Sequence, residues 1–409
     1  MKKILLVFSF IAFNCNFIIG QIDTTNGRYY QEVFSTVNVS SDVTYGSNTK
    51  FNGSAQTLLM DIYEPAGDTV AQRPLIILAH GGSFIGGTKT EQDMVDLCTK
   101  FAKMGYVTAS IEYRVGFYPI DSVNAIKAVI RAVQDMKASV RFFRKDASST
   151  QTYKIHPGYI FAGGSSAGAF MGLHLAYMDK ESEAHQLISP SGLTALGGLD
   201  GSSGNPGHSS EVSAVINLCG ALGISNWIEP GDVPLVSLHG NQDNTVPYGT
   251  DRISVAGFPI MVVEGSSSIK IHSNTISVDN PFHTYYGAGH VPYFGTSASA
   301  LAYMDTTVKF VKEFLRPLLG SSGINSVDNM SQKTNISIFP NPTNNILNIS
   351  FEEDMKFSKG EIYDFNGALV QSFQLVKINK ISLDLNPGIY FIKIYSDEKV
   401  YKTEKIVVN

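Results

Sequence analysis

The stretch Tyr159-Ile160-Phe161-Ala162-Gly163-Gly164-Ser165-Ser166-Ala167-Gly168-Ala169 restricts the fold more than any other part of the chain. An apolar, aromatic run stops abruptly at glycines and serines. Phe170, Leu173 and Ala176-Tyr177 then recur at helical spacing. The order is strand, sharp turn, helix. Within the turn, Gly164-x-Ser166-x-Gly168 is the pattern of a nucleophile elbow. The central serine of such an elbow sits at a strained backbone angle, and side chains two residues to either side would collide with the strand and the helix. The serine hydroxyl is lifted into the open at a helix N-terminus, where the N–H of Ala167 meets a developing oxyanion. Ser165, flanked by Gly163 and Ala167, also has small neighbours. Ser166 is preferred because both of its flanks are glycine.

The rest of the first 317 residues repeats the alternation of strand and helix. Leu58–Tyr63, Pro74–Ala79 and Tyr106–Tyr113 read as strands. Continuous apolar runs such as Pro74–Ala79 suit central parallel strands covered on both faces. Glu91–Met104 reads as a helix, and Asp121–Lys145 as a long one. Val129, Val133, Met136, Val140 and Phe143 form the buried stripe of the long helix, with Arg131, Asp135, Lys137, Arg141 and Arg144 as a solvated face. Lys180–Glu211 lacks periodicity and reads as a long loop. Val212–Leu218, Val233–Leu238 and His283–Tyr286 are further strands, and Ala298–Leu315 a closing helix. The pattern predicts a mostly parallel α/β sheet.

The chain has 409 residues, 43% of them hydrophobic, which is enough for a large core and an appended domain. Its net charge of −5 and lack of a long basic run give no electrostatic support to nucleic-acid or anionic-membrane binding. Met1-Lys2-Lys3, the apolar run Ile4–Ile19 and Gly20-Gln21 read as a signal peptide over residues 1–20. No later segment has the length and polarity of a membrane span, so the mature chain is expected to have none. Cys98 and Cys219 remain, as two buried thiols or one disulfide. No Cys/His cluster has metal-ligand spacing, and neither a metal nor a cofactor is expected.

In open parallel sheets the reactive groups gather at the carboxyl ends of the strands. Four strand ends here carry such groups: Ser166, the loop His80-Gly81-Gly82-Ser83, Asp243 in Leu238-His239-Gly240-Asn241-Gln242-Asp243, and His290 in Gly287-Ala288-Gly289-His290-Val291-Pro292. The chain order of serine, acid and base is the one this architecture uses. Asp251 and Asp279 lack the strand-end position of Asp243. His239 reads as a packing residue before the acid loop, His272 as part of a polar insertion over Gly265–Asn274, and His283 as the start of a strand. Lys180–Glu211 and Trp227 are candidates for the cleft wall, Trp227 equally for packing.

With these pieces in place, residues 37–317 resemble the α/β-hydrolase fold, and in particular the carboxylesterases related to hormone-sensitive lipase. His80-Gly81-Gly82-Ser83-Phe84 is similar to the HGGG-type oxyanion motif of that group, with serine in place of its third glycine. The resemblance implies a serine esterase with Ser166 as nucleophile, Asp243 and His290 as acid and base, and the N–H groups of Gly82, Ser83 and Ala167 as oxyanion donors. The fold also includes secreted esterases acting on acetyl and feruloyl groups of plant polysaccharides. Ser83, the polar 180–211 segment and the lack of a lid helix point to short or compact acyl groups. Two alternatives remain: a catalytically silent binding protein of the same fold, and a prolyl-peptidase-like hydrolase.

Past a linker at 318–334, residues 335–409 change character. Short strands alternate with turn signals at Pro340-Asn341-Pro342, Asn366-Gly367 and Asn386-Pro387-Gly388, which predicts a small all-β sandwich. Phe339–Pro342, Ile362–Gly367, Leu385–Ile394 and Lys405–Val408 resemble the C-terminal sorting domain of Bacteroidetes type IX secretion. That resemblance implies the type IX machinery as a partner. It also implies a location in the medium or on the outer-membrane surface, reached through the periplasm, with the hydrolase occupying residues 21–317.

Overall fold

The computed structural model describes residues 22–319, 337–350, 359–364, 368–375, 379–396 and 399–408. The signal-peptide segment, all but the first two linker residues and the Asn366-Gly367 turn lie outside the described residues. The chain forms two compact units, Met1–Gly323 and Ile324–Asn409. No helix among the described residues is long and apolar enough to cross a membrane.

The first unit is built on β1 (Val37–Thr49), β2 (Ala55–Pro65), β3 (Arg73–Ala79), α1 (Gln92–Lys103), β4 (Val107–Ile111), α2 (Ser122–Ala147), β5 (Ile155–Ser165) and α3 (Ala167–Tyr177). It continues with α4 (Glu181–Ala184), α5 (Pro190–Ala195), β6 (Ala214–Leu218), β7 (Ala221–Leu222), β8 (Leu235–Gly240), β9 (Thr250–Val255), β10 (Phe258–Gly265), α6 (Ser266–Ile276), β11 (Phe282–Tyr285) and α7 (Ala298–Leu319). Eight strands form one sheet in the order β1-β2-β4-β3-β5-β6-β8-β11. The pairs at the β1 edge, β1/β2 and β2/β4, are antiparallel, and the other five are parallel. β3, β4, β6 and β8 are buried at every residue, as expected of strands covered on both faces. One core joins the sheet to α2 and α3, and a second joins its other face to α1 and α7. This is the α/β-hydrolase arrangement.

Three expectations fail, each because tertiary packing covered a polar segment. The segment 180–211 is not one long loop. It holds α4 and α5, and Ser189 caps α5 by accepting from Gly192 N–H at 3.2 Å. The supposed polar insertion at 265–274 is the helix α6, with Ile269 fully buried. The polar face of α2 is not solvated: Arg131, Asp135, Lys137 and Arg141 are all buried. Periodicity identified the apolar stripe correctly but says nothing about what covers the opposite face. Here Arg114, just past β4, donates to the Asp135 carboxylate from its backbone N–H at 2.8 Å and from Nε at 2.9 and 3.0 Å. Ser203 donates to the same carboxylate at 2.6 Å. Gln134 donates to the carbonyls of Leu196 and Gly198, and Arg141 to those of Asp200 and Gly204. These bonds fasten residues 196–204 onto α2.

A hairpin not anticipated from the sequence, β9–β10, pairs with β7 in a separate three-stranded sheet. Val255 pairs with Phe258 across Ala256-Gly257, whose φ angles are +50° and +81°. Such turns favour Asn-Gly, so the Ala-Gly here was a weak signal.

The second unit comprises β12 (Ser337–Phe339), β13 (Ile346–Ser350), β14 (Lys359–Tyr363), β15 (Leu369–Gln374), β16 (Asn379–Ser382), β17 (Gly388–Ser396) and β18 (Lys399–Val408). Sheets β12-β13-β16 and β15-β14-β17-β18 share one core that includes Leu347, Ile349, Ile362, Ile392 and Ile406. The small all-β sandwich is thus observed.

The Arg114–Asp135 pair yields a stability prediction. Removing one partner of a buried pair strands the other charge, so Asp135→Ala should cost about 3–5 kcal/mol in urea unfolding of the first unit. Asp200→Ala breaks the Lys137 pair, but the Asp200 side chain is 77% exposed, so the loss should stay below about 1 kcal/mol.

Candidate active site

The elbow follows from one close approach. Gly164 and Gly168 both face the carbonyl oxygen of Ala79 at the end of β3, and a Cβ on either would overlap it. Only glycine permits that contact. The backbone then turns at Ser166, whose φ and ψ are +53° and −117°. The N–H of Ser166 donates to Leu218 O at 2.9 Å, fixing the turn to the end of β6. Ser165 points the other way, and its hydroxyl shares a 2.8 Å hydrogen bond with the buried Tyr293 hydroxyl. Of the two candidate serines, Ser166 occupies the elbow.

His290 Nε2 lies 2.9 Å from Ser166 Oγ, and its Nδ1 lies 2.6 Å from Asp243 Oδ2. A carboxylate only accepts, so Nδ1 carries the proton and Nε2 accepts from the serine hydroxyl. Asp243 Oδ1 accepts from the N–H groups of Thr245 at 2.8 Å and Val246 at 2.9 Å, in the turn just past β8. Burial by itself would push the Asp243 carboxyl up. Its hydrogen bonds with His239 and His290 outweigh this and hold it well below the usual carboxylate range.

His239 is fully buried, as expected of a packing residue, but it also touches the acid. Its Nε2 lies 3.1 Å from Asp243 Oδ2, and its Nδ1 2.8 Å from Ser266 Oγ. The other rejected candidates are accounted for. His272 Nε2 is 2.9 Å from Ile228 O, and His283 packs against Tyr285 and Phe310. Asp251 and Asp279 are exposed. Cys98 and Cys219 are both free and buried, and burial pushes each thiol up to about 12. Cys219 lies close enough to Asp243 and His290 for the three ligand atoms to fall within 4.8 Å. Its thiol stays protonated, and the other two groups are bonded to each other, so the trio suits a hydrogen-bonded relay better than an ion.

The loop after β3 is held from below. The His80 ring stacks on Tyr113 at 4.3 Å, and the Tyr113 hydroxyl donates to the carbonyls of His80 and Gly81 at 3.0 Å each. With those carbonyls pulled down, Gly82, Ser83 and Phe84 all take positive φ, at +106°, +54° and +60°. At Gly82 a Cβ would meet the Gly86 carbonyl, so this glycine is required. Ser83 adopts the left-handed angle that glycine holds more easily. Ala167 begins α3, where its N–H has no intrahelical acceptor.

Ser83, Ser166 and Ala167 line the mouth of an apolar cavity of about 70 Å³. Phe84, Phe117 and Phe170 form part of its wall, α2 adds Ile126 and Ile130, and the hairpin adds Ile253, Ile260 and Met261. Ala184 and Leu187 are the only residues of 180–211 on the wall. Trp227 is buried edge-on against His174 at 5.7 Å and acts in packing.

His174 contacts this cavity as well. Its Nδ1 donates to Phe170 O at 2.8 Å, and its Nε2 accepts from Gly223 N–H at 3.3 Å. Both contacts fit the neutral ring, and burial lowers its pKa to about 4. The unfolded chain takes up this proton near pH 6.5, before the folded one does, so folding stability falls as pH drops from 6.5 towards 4. The unfolding free energy from denaturant titrations across that window should decline in the wild type, by up to about 3 kcal/mol from this group. In His174→Gln the decline should be shallower.

Residues 60–229 match the BD-FAE family model, and residues 337–409 match that of the secretion system C-terminal sorting domain. A search of curated proteins gives no match. Among solved structures, Thermogutta terrifontis esterase 2 phosphorylated by paraoxon is similar at 21% identity, covering 70% of this chain and 95% of that one, with a TM-score of 0.49. The propionate-bound form of the same esterase gives 22% identity, 69% and 95% coverage and a TM-score of 0.49. The butyrate-bound form gives 20%, 71%, 97% and 0.48. The family match places residues 60–229 among sequences of the BD-FAE type, α/β-hydrolase esterases, and the type IX sorting domain at 337–409 marks the chain for export.

Proposed function

We propose that this chain is an exported serine carboxylesterase that cleaves esters of short or compact acyl groups through an acyl-enzyme on Ser166. The observation that carries the reading is the hydrogen-bonded series Ser166–His290–Asp243 at the mouth of a small apolar cavity. His290 takes the hydroxyl proton as Ser166 attacks the ester carbonyl, then returns it to the departing alcohol. Asp243 holds the imidazole in the required tautomer and stabilises the imidazolium. The N–H groups of Gly82, Ser83 and Ala167 receive the negative charge that develops on the carbonyl oxygen. Water repeats the sequence on the acyl-enzyme.

The apolar wall and the limited space favour a short or flat acyl chain. Esters on polysaccharides, acetyl or feruloyl, are the natural substrates we assign, and type IX export would bring the enzyme to them outside the cell. An intact relay with its acid buried and its serine at the elbow counts against a silent binding protein.

The test is a panel of p-nitrophenyl esters of rising acyl length, with acetylated xylan and methyl ferulate. Acetyl to butyryl esters should turn over fastest, and faster hydrolysis of emulsified long-chain triglyceride would refute the acyl assignment. Ser166→Ala and His290→Ala should each lower kcat about 10⁴-fold or more, with Asp243→Asn somewhat milder. Ser165→Ala should keep most activity, because its partner is Tyr293. Wild-type rates in Ser166→Ala or His290→Ala would defeat the mechanism.

A further inference from the structure

A second cleft, of about 250 Å³, shares Phe117 with the acyl cavity. Phe51 from the β1–β2 turn and Tyr118 from the loop after β4 stand at its edge, 43% and 77% exposed. Asn124, Lys127 and Arg131 line it from one face of α2, at spacings of three and four. None of its lining residues is acidic.

Arg131 is the anomaly. As a residue it is only 8% exposed, and among the described residues nothing accepts a hydrogen bond from its guanidinium, whose nitrogens keep contact with solvent at the cleft. The other buried cations of α2 are matched: Lys137 by Asp200, and Arg141 by two carbonyls. The carboxylate one turn along, Asp135, is already occupied by Arg114 and Ser203, and Arg114 itself repels Arg131. Lys127, on the same wall, also has no acidic partner among the described residues. Asp135 still attracts the Arg131 guanidinium but accepts no hydrogen bond from it, and burial of a charge so incompletely matched is costly to fold. The cost is recovered when an anion enters. The planar fork of arginine fits a carboxylate through two parallel bonds. The Asn124 amide is already given to Asp121, donating from Nδ2 to its two oxygens at 3.0 Å each, so Arg131 and Lys127 are the donors left to an anion. Phe51 and Tyr118 present flat apolar surface to the carbon skeleton.

We propose that this cleft is a carboxylate-binding subsite, with Arg131 as the bidentate partner and Lys127 as the second charge. It receives an acidic group on the part of the substrate that does not enter the acyl cavity. For its role in turnover the proposal rests on the esterase reading. The same chemistry would also accept a free carboxylate.

The test compares two acetate esters of matched shape, 4-acetoxybenzoate and 4-acetoxybenzamide, on the full chain. Wild type should show a KM roughly tenfold or more lower for the carboxylate, the scale of a charge-assisted hydrogen bond. Arg131→Gln and Lys127→Gln should erase that preference by raising KM for the carboxylate ester far more than for the amide ester, with kcat for both falling less than about twofold. Equal KM values in wild type, or a preference that survives both substitutions, overturn the proposal. Benzoate inhibition of amide-ester turnover in wild type but not in Arg131→Gln extends the site to free carboxylates; a KM preference without such inhibition confines it to the substrate's own group. If neither ester is hydrolysed, the esterase reading fails, and calorimetry decides the subsite separately: benzoate must bind wild type and not Arg131→Gln. Arg131→Met should melt no lower than wild type, because no native partner is lost. A marked fall in Tm would make Arg131 a structural residue and sink the proposal.

Discussion

The contact between the Ala79 carbonyl and the two elbow glycines governs the layout of the site. It lets β5 and α3 press against the end of β3, and that proximity sets the Ser166 angle. The same oxygen precedes the His80 loop, so the serine and the left-handed residues Gly82 and Ser83 are positioned from one point. Any side chain at 164 or 168 would force the strand ends apart. The strain at Ser166 is sustained because the Ser166 N–H is anchored to β6 and the surrounding sheet is buried on both faces.

Around that point the polar groups are arranged so that no charge in the relay lacks a partner. The Asp243 carboxylate receives two backbone N–H groups on one oxygen and two imidazoles near the other. His239 also lies 3.2 Å from the Val246 carbonyl, so its Nε2 faces two acceptors and must carry a proton. Behind it, Ser266 and Asn217 continue the buried network. A carboxylate satisfied in this way stays ionised despite burial, which is what an imidazole in a fixed tautomer needs.

The polar face of α2 follows a different logic. Most of its charges are used to hold the 196–204 segment and Arg114 in place. Arg131 departs from that rule: it lines the adjoining cleft and gives no hydrogen bond to any described residue.

Much of this protein was legible in one dimension because the signals are local. The glycines around Ser166 report a close approach, continuous apolar runs report strands covered twice, and turn residues report the sandwich. Ser166, Asp243 and His290 could be named because each sits where a strand pattern ends. The His239–Asp243 contact, the Ser165–Tyr293 bond, the β9–β10 hairpin and the covered face of α2 could not. Each depends on residues distant in sequence meeting at a specific angle, and periodicity records which side of an element is apolar, not what arrives to cover the other. The sequence by itself determined the fold class and which serine, acid and imidazole stand near strand ends. Tertiary structure decided which serine faces the imidazole, which apolar side chains line the adjoining cavity, and which buried arginine gives no hydrogen bond to any described residue, because burial and hydrogen-bond satisfaction are properties of the packed chain.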